Sequence, residues 1–437
     1  MDLAATVNAM RTGFSRTFWI ANVIELFERF AYYGSKAILA VYVAEQVGLG
    51  PEQAGWLVGS FFNTLLYFLP ILAGTVVDRY GYKRSLMACF AIFSLGYFMI
   101  GLAGLPAGQP LVQSIGPRAY MVLALLVTAI GGSLIKPSIV GTVARTTDDK
   151  TKSLGYSIYY TLVNIGGAVG PILALQVREN LGISYVLVMS SLVSFLLFVS
   201  TVIFFSEPPR PADAAPAKSM AGVLGDMFTV FLNLRFMAFL VIFSGFWAMF
   251  WQIFYSLPFY VRDVLHYPRF EIIETVDAWT IILVTVPAAA LANKLRPIRA
   301  MTLGFALATL CWFVMGAVPT LFATVAAIAL FAVGEAIQAP RYYEYVADLA
   351  PKEQMGTYMG FAFLPVAIGT FVAGAIAGRL VTYFIGTTVD GQLIPGPGAA
   401  APQQMWFVVG GIGVVSTLLM VAYDKLVAPQ KRAQAPS

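Results

Sequence analysis

The chain has 437 residues, 59% of them hydrophobic and 11% charged, with a mean hydropathy of +0.78 and a formal net charge of +5. A soluble protein carries about 25% charged residues, so a water-soluble globule is excluded, and continuous rather than alternating apolar runs exclude a β-barrel. The only two cysteines, Cys89 and Cys311, lie apart in apolar runs, and His266 is the single histidine, which argues against a disulfide framework or a metal cluster; the excess positive charge falls in loops and forms no nucleic-acid patch.

Taken in order, apolar runs long enough to cross ~30 Å of hydrocarbon predict twelve spans: 18–43, 54–77, 84–105, 119–143, 154–177, 183–205, 236–261, 273–293, 299–318, 320–346, 356–384 and 404–426. Residues 1–17 carry Arg11 and Arg16 but no separate apolar core with a cleavage site, so no removable signal is expected. The first span is unusual. Glu25, Glu28/Arg29, Tyr32 and Lys36 recur at helical spacing and share one face. Each such charge costs roughly 2.5–3.5 kcal/mol in lipid on the insertion scale, so the stripe must meet a polar cavity or partners on other helices.

The widest polar interruption, 206–235, opens with Ser206-Glu207-Pro208-Pro209-Arg210 and divides the spans six and six. Its 220–234 stretch reads as a short amphipathic helix on the membrane face. The later loop 386–403 is rich in Gly, Pro and Ala, and the tail from Ala428 is polar and expected to be disordered. Eighteen of the 27 lysines and arginines fall at the two ends and in one set of alternate loops; five (Arg118, Arg178, Arg262, Arg269, Arg379) fall in the other. By the positive-inside rule both termini and the 206–235 loop are cytoplasmic. The expected organisation is a cytoplasmic N-terminus (1–17), a six-helix bundle (18–205), a cytoplasmic linker (206–235), a second bundle (236–427) and a cytoplasmic tail (428–437). Arg29, Lys36, Lys136 and Arg341 are the four cations left inside spans.

Between spans 2 and 3 the chain reads Gly74-Thr75-Val76-Val77-Asp78-Arg79-Tyr80-Gly81-Tyr82-Lys83-Arg84. Gly74 permits close helix approach, Gly81 a tight turn, and Asp78 stands at a helix end where it can cap or pair. This resembles the GxxxDRxGxRR/K signature of the major facilitator superfamily, in which Arg79 shares the gating loop. The matching stretch between spans 8 and 9, Leu291–Arg299, lacks the acid and the glycine.

A more specific resemblance follows. Glu25-x-x-Glu28-Arg29-Phe30-x-Tyr32-Tyr33-Gly34 resembles the ExxERFxYYG signature of proton-coupled oligopeptide transporters. Gly132 to Pro137 is similar to their GxxxKP motif, Tyr159 to Pro171 to FYxxINxGxxxGP, Gly334 to Pro340 to GExxxSP, and Tyr67-x-x-Pro70 also fits. The resemblance spans nearly the whole chain. It implies an all-α polytopic membrane protein with the twelve-helix major facilitator fold, built as two pseudo-symmetric six-helix bundles. It further implies proton-coupled symport of di- or tripeptides, or peptide-like zwitterions, by alternating access, with the proton as coupling ion and no other cofactor.

The residue chemistry agrees with that assignment. Arg29, Lys36 and Lys136 suit a carboxylate, and Glu335 an ammonium. Glu25 and Glu28 are acids placed to carry protons. Tyr32, Tyr33, Tyr67, Tyr159, Tyr160 and Asn164 offer groups to a peptide backbone, and Trp251 with Gln252 stands where the family has an acid before the glutamine. Lys136 can instead pair with Glu25 or Glu28 as a gate. Arg341 and Glu344, one turn apart, are expected to pair with each other or line the cytoplasmic mouth. Lys36 and Ala339 stand where arginine and serine are usual. A different substrate on the same scaffold (nitrate, another organic anion, an amino-acid conjugate or a drug) and a non-transporting receptor are the alternatives. No nucleophile arrangement suggests an enzyme. The expected setting is a bacterial inner membrane, with the protein acting as a monomer.

Overall fold

A computed structural model describes residues 13–148, 151–209, 220–351, 354–389 and 391–427. Most of the N-terminal segment, residues 210–219 of the linker and the 428–437 tail lie outside the described residues, as do Arg11, Lys150, Arg210, Lys218, Lys352, Lys431 and Arg432 of the charge count. Twelve long helical segments are present among the described residues: α1 (Arg16–Val41), α2 (Gly50–Tyr80), α3 (Tyr82–Ala103), α4 (Pro117–Arg145), α5 (Lys152–Leu181), α6 (Ile183–Phe204), α7 (Leu234–Val264), α8 (Phe270–Ala292), α9 (Pro297–Ala317), α10 (Leu321–Leu349), α11 (Thr357–Phe384) and α12 (Pro402–Leu426). Eleven are apolar enough to cross a membrane by length and composition. The exception is α1, which its own Glu25, Glu28, Arg29 and Lys36 disqualify.

By contact the chain forms two units: Met1–Lys36 with Phe68–Met220, and Ala37–Tyr67 with Ala221–Ser437. This grouping differs from the division in chain order, because residues 37–67 pack with second-half helices.

In the first unit α3 packs on α4 and α6. The α2–α3 turn is made by Gly81, whose φ of +87° is open to glycine at little cost. Two features of this turn differ from expectation. Asp78 is exposed, with no hydrogen bond or ion pair among the described residues. The cap of α3 comes instead from Glu207, whose carboxylate accepts from the Tyr82 and Lys83 amides at 2.8 and 2.7 Å, where helix-end N–H groups favour an anion. Gly74 makes no close approach either; a Cβ there would meet nothing within 4 Å. Further on, α4 is broken at Leu134, whose N–H reaches back only to Gly131 at 3.2 Å. Pro137 causes this, because its ring excludes an amide from the helical ladder.

In the second unit α2 lies against α11 through glycines. A Cβ on Gly374 would stand 2.4 Å from Gly55 O and 2.6 Å from Gly59 Cα. Ser60 Oγ donates to Phe371 O at 2.7 Å across the same seam, and Asn63 Nδ2 donates to Tyr255 OH at 2.7 Å. Small residues allow backbones to meet where lipid offers no hydrophobic drive. Gly374→Val is therefore expected to cost about 1–3 kcal/mol by overpacking. It should lower the melting temperature of detergent-purified protein, and an unchanged melt would contradict this role for the seam.

At the end of α7, Arg262 binds Glu45 through both Nη atoms, at 2.8 and 2.5 Å, and Thr388 Oγ1 donates to Glu45 at 3.3 Å. Thr388 belongs to a small antiparallel hairpin of β1 (Gly386–Val389) and β2 (Gln392–Pro395) within the stretch expected as a loop, 386–403. The amphipathic helix expected in the linker is present over Met220–Phe231, with Met227 and Val230 buried and Leu224 and Phe228 exposed.

Candidate functional site

The charged stripe of α1 faces inward. Trp19, Val23 and Phe27 are exposed on one side of the helix, whereas Asn22, Glu25, Glu28, Arg29, Tyr32 and Lys36 are buried. Arg29 Nε donates to Glu28 Oε2 and lies 3.4 Å from Glu25 Oε1. Lys136, just past the break in α4, donates to Glu25 Oε1 at 3.0 Å and to Tyr159 OH of α5 at 2.7 Å; that hydroxyl donates to Glu25 Oε1 at 3.3 Å. The pairing of Lys136 with Glu25, one of the two options open from sequence, is thus observed.

Two carboxylates and two cations make a formally neutral quartet. Partners of this kind are what allow buried charges to persist at all. Its members are not equivalent. The Lys136 side chain is 30% exposed and that of Glu25 fully buried. Glu25 Oε2 and Glu28 Oε1 have no hydrogen-bond partner among the described residues. Aromatic faces supplement the cations. The Arg29 guanidinium lies 4.7 Å from the Tyr32 ring centroid, and Lys36 Nζ lies 5.1 Å from that of Tyr33.

The glycines of α5 explain how α1 comes so close. A Cβ on Gly166 would stand 2.2 Å from Arg29 Cβ, and one on Gly170 2.8 Å from Phe30 O. The Asn164-x-Gly166-x-x-x-Gly170 spacing is therefore the groove that receives the Glu28-Arg29-Phe30 turn. Of the remaining α5 residues singled out, Tyr160 is exposed and Asn164 donates its amide to Tyr160 O at 2.8 Å.

The other singled-out residues belong to the second unit. Trp251 is fully buried, stacked on Tyr255 (5.4 Å, 18°) and edge-on to Tyr67 (5.5 Å, 66°). Gln252 is also fully buried. Its amide donates to Ala373 O at 3.3 Å and its carbonyl accepts from Ser256 at 2.5 Å, so it joins α7 to α11. Glu335 is half-buried on α10, one residue past Gly334, which packs against Gly304 of α9. Arg341 pairs with Glu344 at 2.5 Å, as the spacing suggested, and also donates to Leu295 O at 2.6 Å. That second bond holds the α8–α9 connection, the one lacking the signature acid and glycine. Sequence reasoning passed over three buried acids at the start of α8: Glu271, Glu274 and Asp277. Their i, i+3, i+6 spacing was the available signal.

The sequence profile described as Major Facilitator Superfamily matches residues 21–276 and 270–437. The chain belongs to the major facilitator superfamily. This facilitator is 26% identical over 442 residues to dipeptide and tripeptide permease A of Erwinia pyrifoliae, covering 86% of this chain and 87% of the relative. It is 25% identical over 444 residues to the permease of the same name from an Enterobacter species, covering 86% of each. Among solved structures, a POT family transporter in complex with a thioalcohol-conjugated peptide aligns with a TM-score of 0.75 at 15% identity, covering 94% of this chain and 96% of that one. A peptide transporter POT in complex with sulfate aligns at 0.72 and 20% identity, covering 96% and 95%. The structural likeness is one of fold, and the facilitator fold has twelve helices, the charged α1 included. The family that the motifs of α1, α4, α5 and α10 resemble is the one these neighbours carry in their descriptions.

Proposed function

We propose that this facilitator is a proton-coupled symporter of di- and tripeptides, or of peptide-like zwitterions, working by alternating access. The carrying observation is the neutral quartet Glu25–Glu28–Arg29–Lys136, with Tyr159 hydrogen-bonded into it. A substrate carboxylate entering such a cluster adds one negative charge; one bound proton restores neutrality. Each therefore favours the other, and the linkage is reciprocal. In this reading Arg29 and Lys136 receive the carboxylate, Glu25 and Glu28 carry the proton, and Glu335 receives the ammonium. Transport proceeds without chemical conversion or cofactor, by a monomer in a bacterial inner membrane with cytoplasmic termini.

The test is uptake of labelled dipeptide into liposomes holding the purified protein, with and without an inward proton gradient. Accumulation above the equilibrium level with the gradient is expected; uptake by active protein that ignores the gradient sinks the symport reading. A thermal-shift panel of dipeptides, nitrate and simple carboxylates checks the substrate class, and stabilisation by nitrate alone would replace the peptide with an inorganic anion.

A further inference from the structure

We propose that a groove on the outer face of the first unit, between α3 and α6, holds an acyl chain of an anionic phospholipid whose phosphate rests on Arg84. The groove has a volume of about 570 Å³ and is lined by Ala91, Ser94, Leu95 and Phe98 of α3 and by Val188, Leu192 and Phe195 of α6, among others. Its two hydroxyl-bearing floor residues are satisfied internally. Ser94 Oγ donates to Ser191 O at 3.0 Å and Ser191 Oγ to Ser94 O at 2.7 Å. The floor therefore asks for hydrocarbon and not for water. Leu95, Phe98, Leu192 and Phe195 are exposed along its walls, on helices whose surroundings in a membrane are lipid.

The groove has a polar end. Arg84, Ala88, Ala91, Leu95 and Phe98 recur at i, i+4, i+7, i+11 and i+14, so they lie on one stripe of α3, and all five are exposed. Ala88 and Ala91 leave the floor open from the groove to Arg84. At 1.5 Å per residue Arg84 stands about 21 Å along the axis from Phe98, close to half the ~40–45 Å thickness of a bilayer with its headgroups. A lipid with its phosphate at Arg84 thus reaches the inner end of the groove with its tail. The sign of the headgroup follows from local charge. Arg84 has no hydrogen bond or ion pair among the described residues, and Lys83 is its neighbour with Nζ on Val202 O at 3.0 Å. Asp78 and Glu207, whose carboxylate keeps its charge while accepting from two amides, offset two of Arg79, Lys83 and Arg84 and leave one positive charge. The net positive potential favours an anionic headgroup over a zwitterionic one.

Native mass spectrometry and thermal melting of the full chain in detergent, titrated with phosphatidylglycerol, phosphatidylcholine or glycerophosphate, test this. Phosphatidylglycerol is expected to stay bound and raise the melting temperature, and the other two are not. Arg84→Gln, at an exposed position, should weaken retention about fivefold. Ala91→Trp, which fills the groove, should remove it with Arg84 intact. Equal retention of the two lipids, undiminished retention by Arg84→Gln, or an equal shift with glycerophosphate each overturns the proposal. So does a dimer of the chain that Ala91→Trp dissociates, since the groove would then hold protein.

Discussion

Arg29→Ala is expected to lower proton-driven dipeptide uptake by about a hundredfold or more and to destabilise the protein as well. The guanidinium is buried against Tyr32, bonded to Glu28 and close to Glu25. Removing it leaves two buried carboxylates with Lys136 as their one cation in the cluster. Deleting one partner of a buried pair costs about 3–5 kcal/mol because the other charge stays behind. A carboxylate-binding role makes a sharper demand than stability does. In binding assays the variant should lose affinity for a free dipeptide far more than for its carboxyl-amidated analogue. Equal losses for both would leave Arg29 a structural role only. Arg29→Lys serves as the folding control, since it keeps the charge and lacks the planar fork.

Glu28→Gln is expected to abolish stimulation of uptake by an inward proton gradient while sparing counterflow exchange of labelled for unlabelled peptide. The amide keeps the shape of the side chain but cannot gain or lose a proton in the working range. Glu28 and Glu25 differ in how they are held. Glu25 Oε1 accepts from Lys136 and Tyr159, whereas the bond to Glu28 comes from Arg29, its neighbour in sequence. The carboxylate with fewer hydrogen bonds is the one whose proton can come and go with less rearrangement. Intact gradient-driven accumulation in Glu28→Gln would refute its coupling role. Glu25→Gln should in addition lower the melting temperature, because it removes the buried negative charge that pairs with Lys136 and accepts from Tyr159.

The α1 stripe was legible in sequence because a charge in an apolar run is costly and so carries information. The same reasoning singled out Lys136 and, through their i, i+3 spacing, the Arg341–Glu344 pair. What escaped notice has physical causes. Glu207 caps α3 from 125 residues away, a separation over which no periodicity speaks. Glu271, Glu274 and Asp277 stand at the start of α8, where a hydropathy window fades into the loop, and the predicted span began inside them at residue 273. Gln252 was placed among the substrate-binding candidates through its position in the resembled family pattern. In the structure its amide ties α7 to α11, a contact that no sequence pattern announces. Gly74 and Asp78 were assigned the packing and capping roles that the facilitator signature suggests; here the turn rests on Gly81 and Glu207.

The quartet also bears on how the chain is made. Glu25 and Lys136 are 111 residues apart, so at about 5–20 residues per second the lysine is synthesised on the order of ten seconds after the glutamate. During that interval α1 must remain in or near the bilayer without its distant cation. Arg29 is the partner available at once, adjacent to Glu28 and one turn from Glu25. A nascent α1 therefore carries one acid neutralised in its own helix and one awaiting α4. Both acids have their cations only once Lys136 has been made, so the site is complete only after α4 follows α1 out of the ribosome.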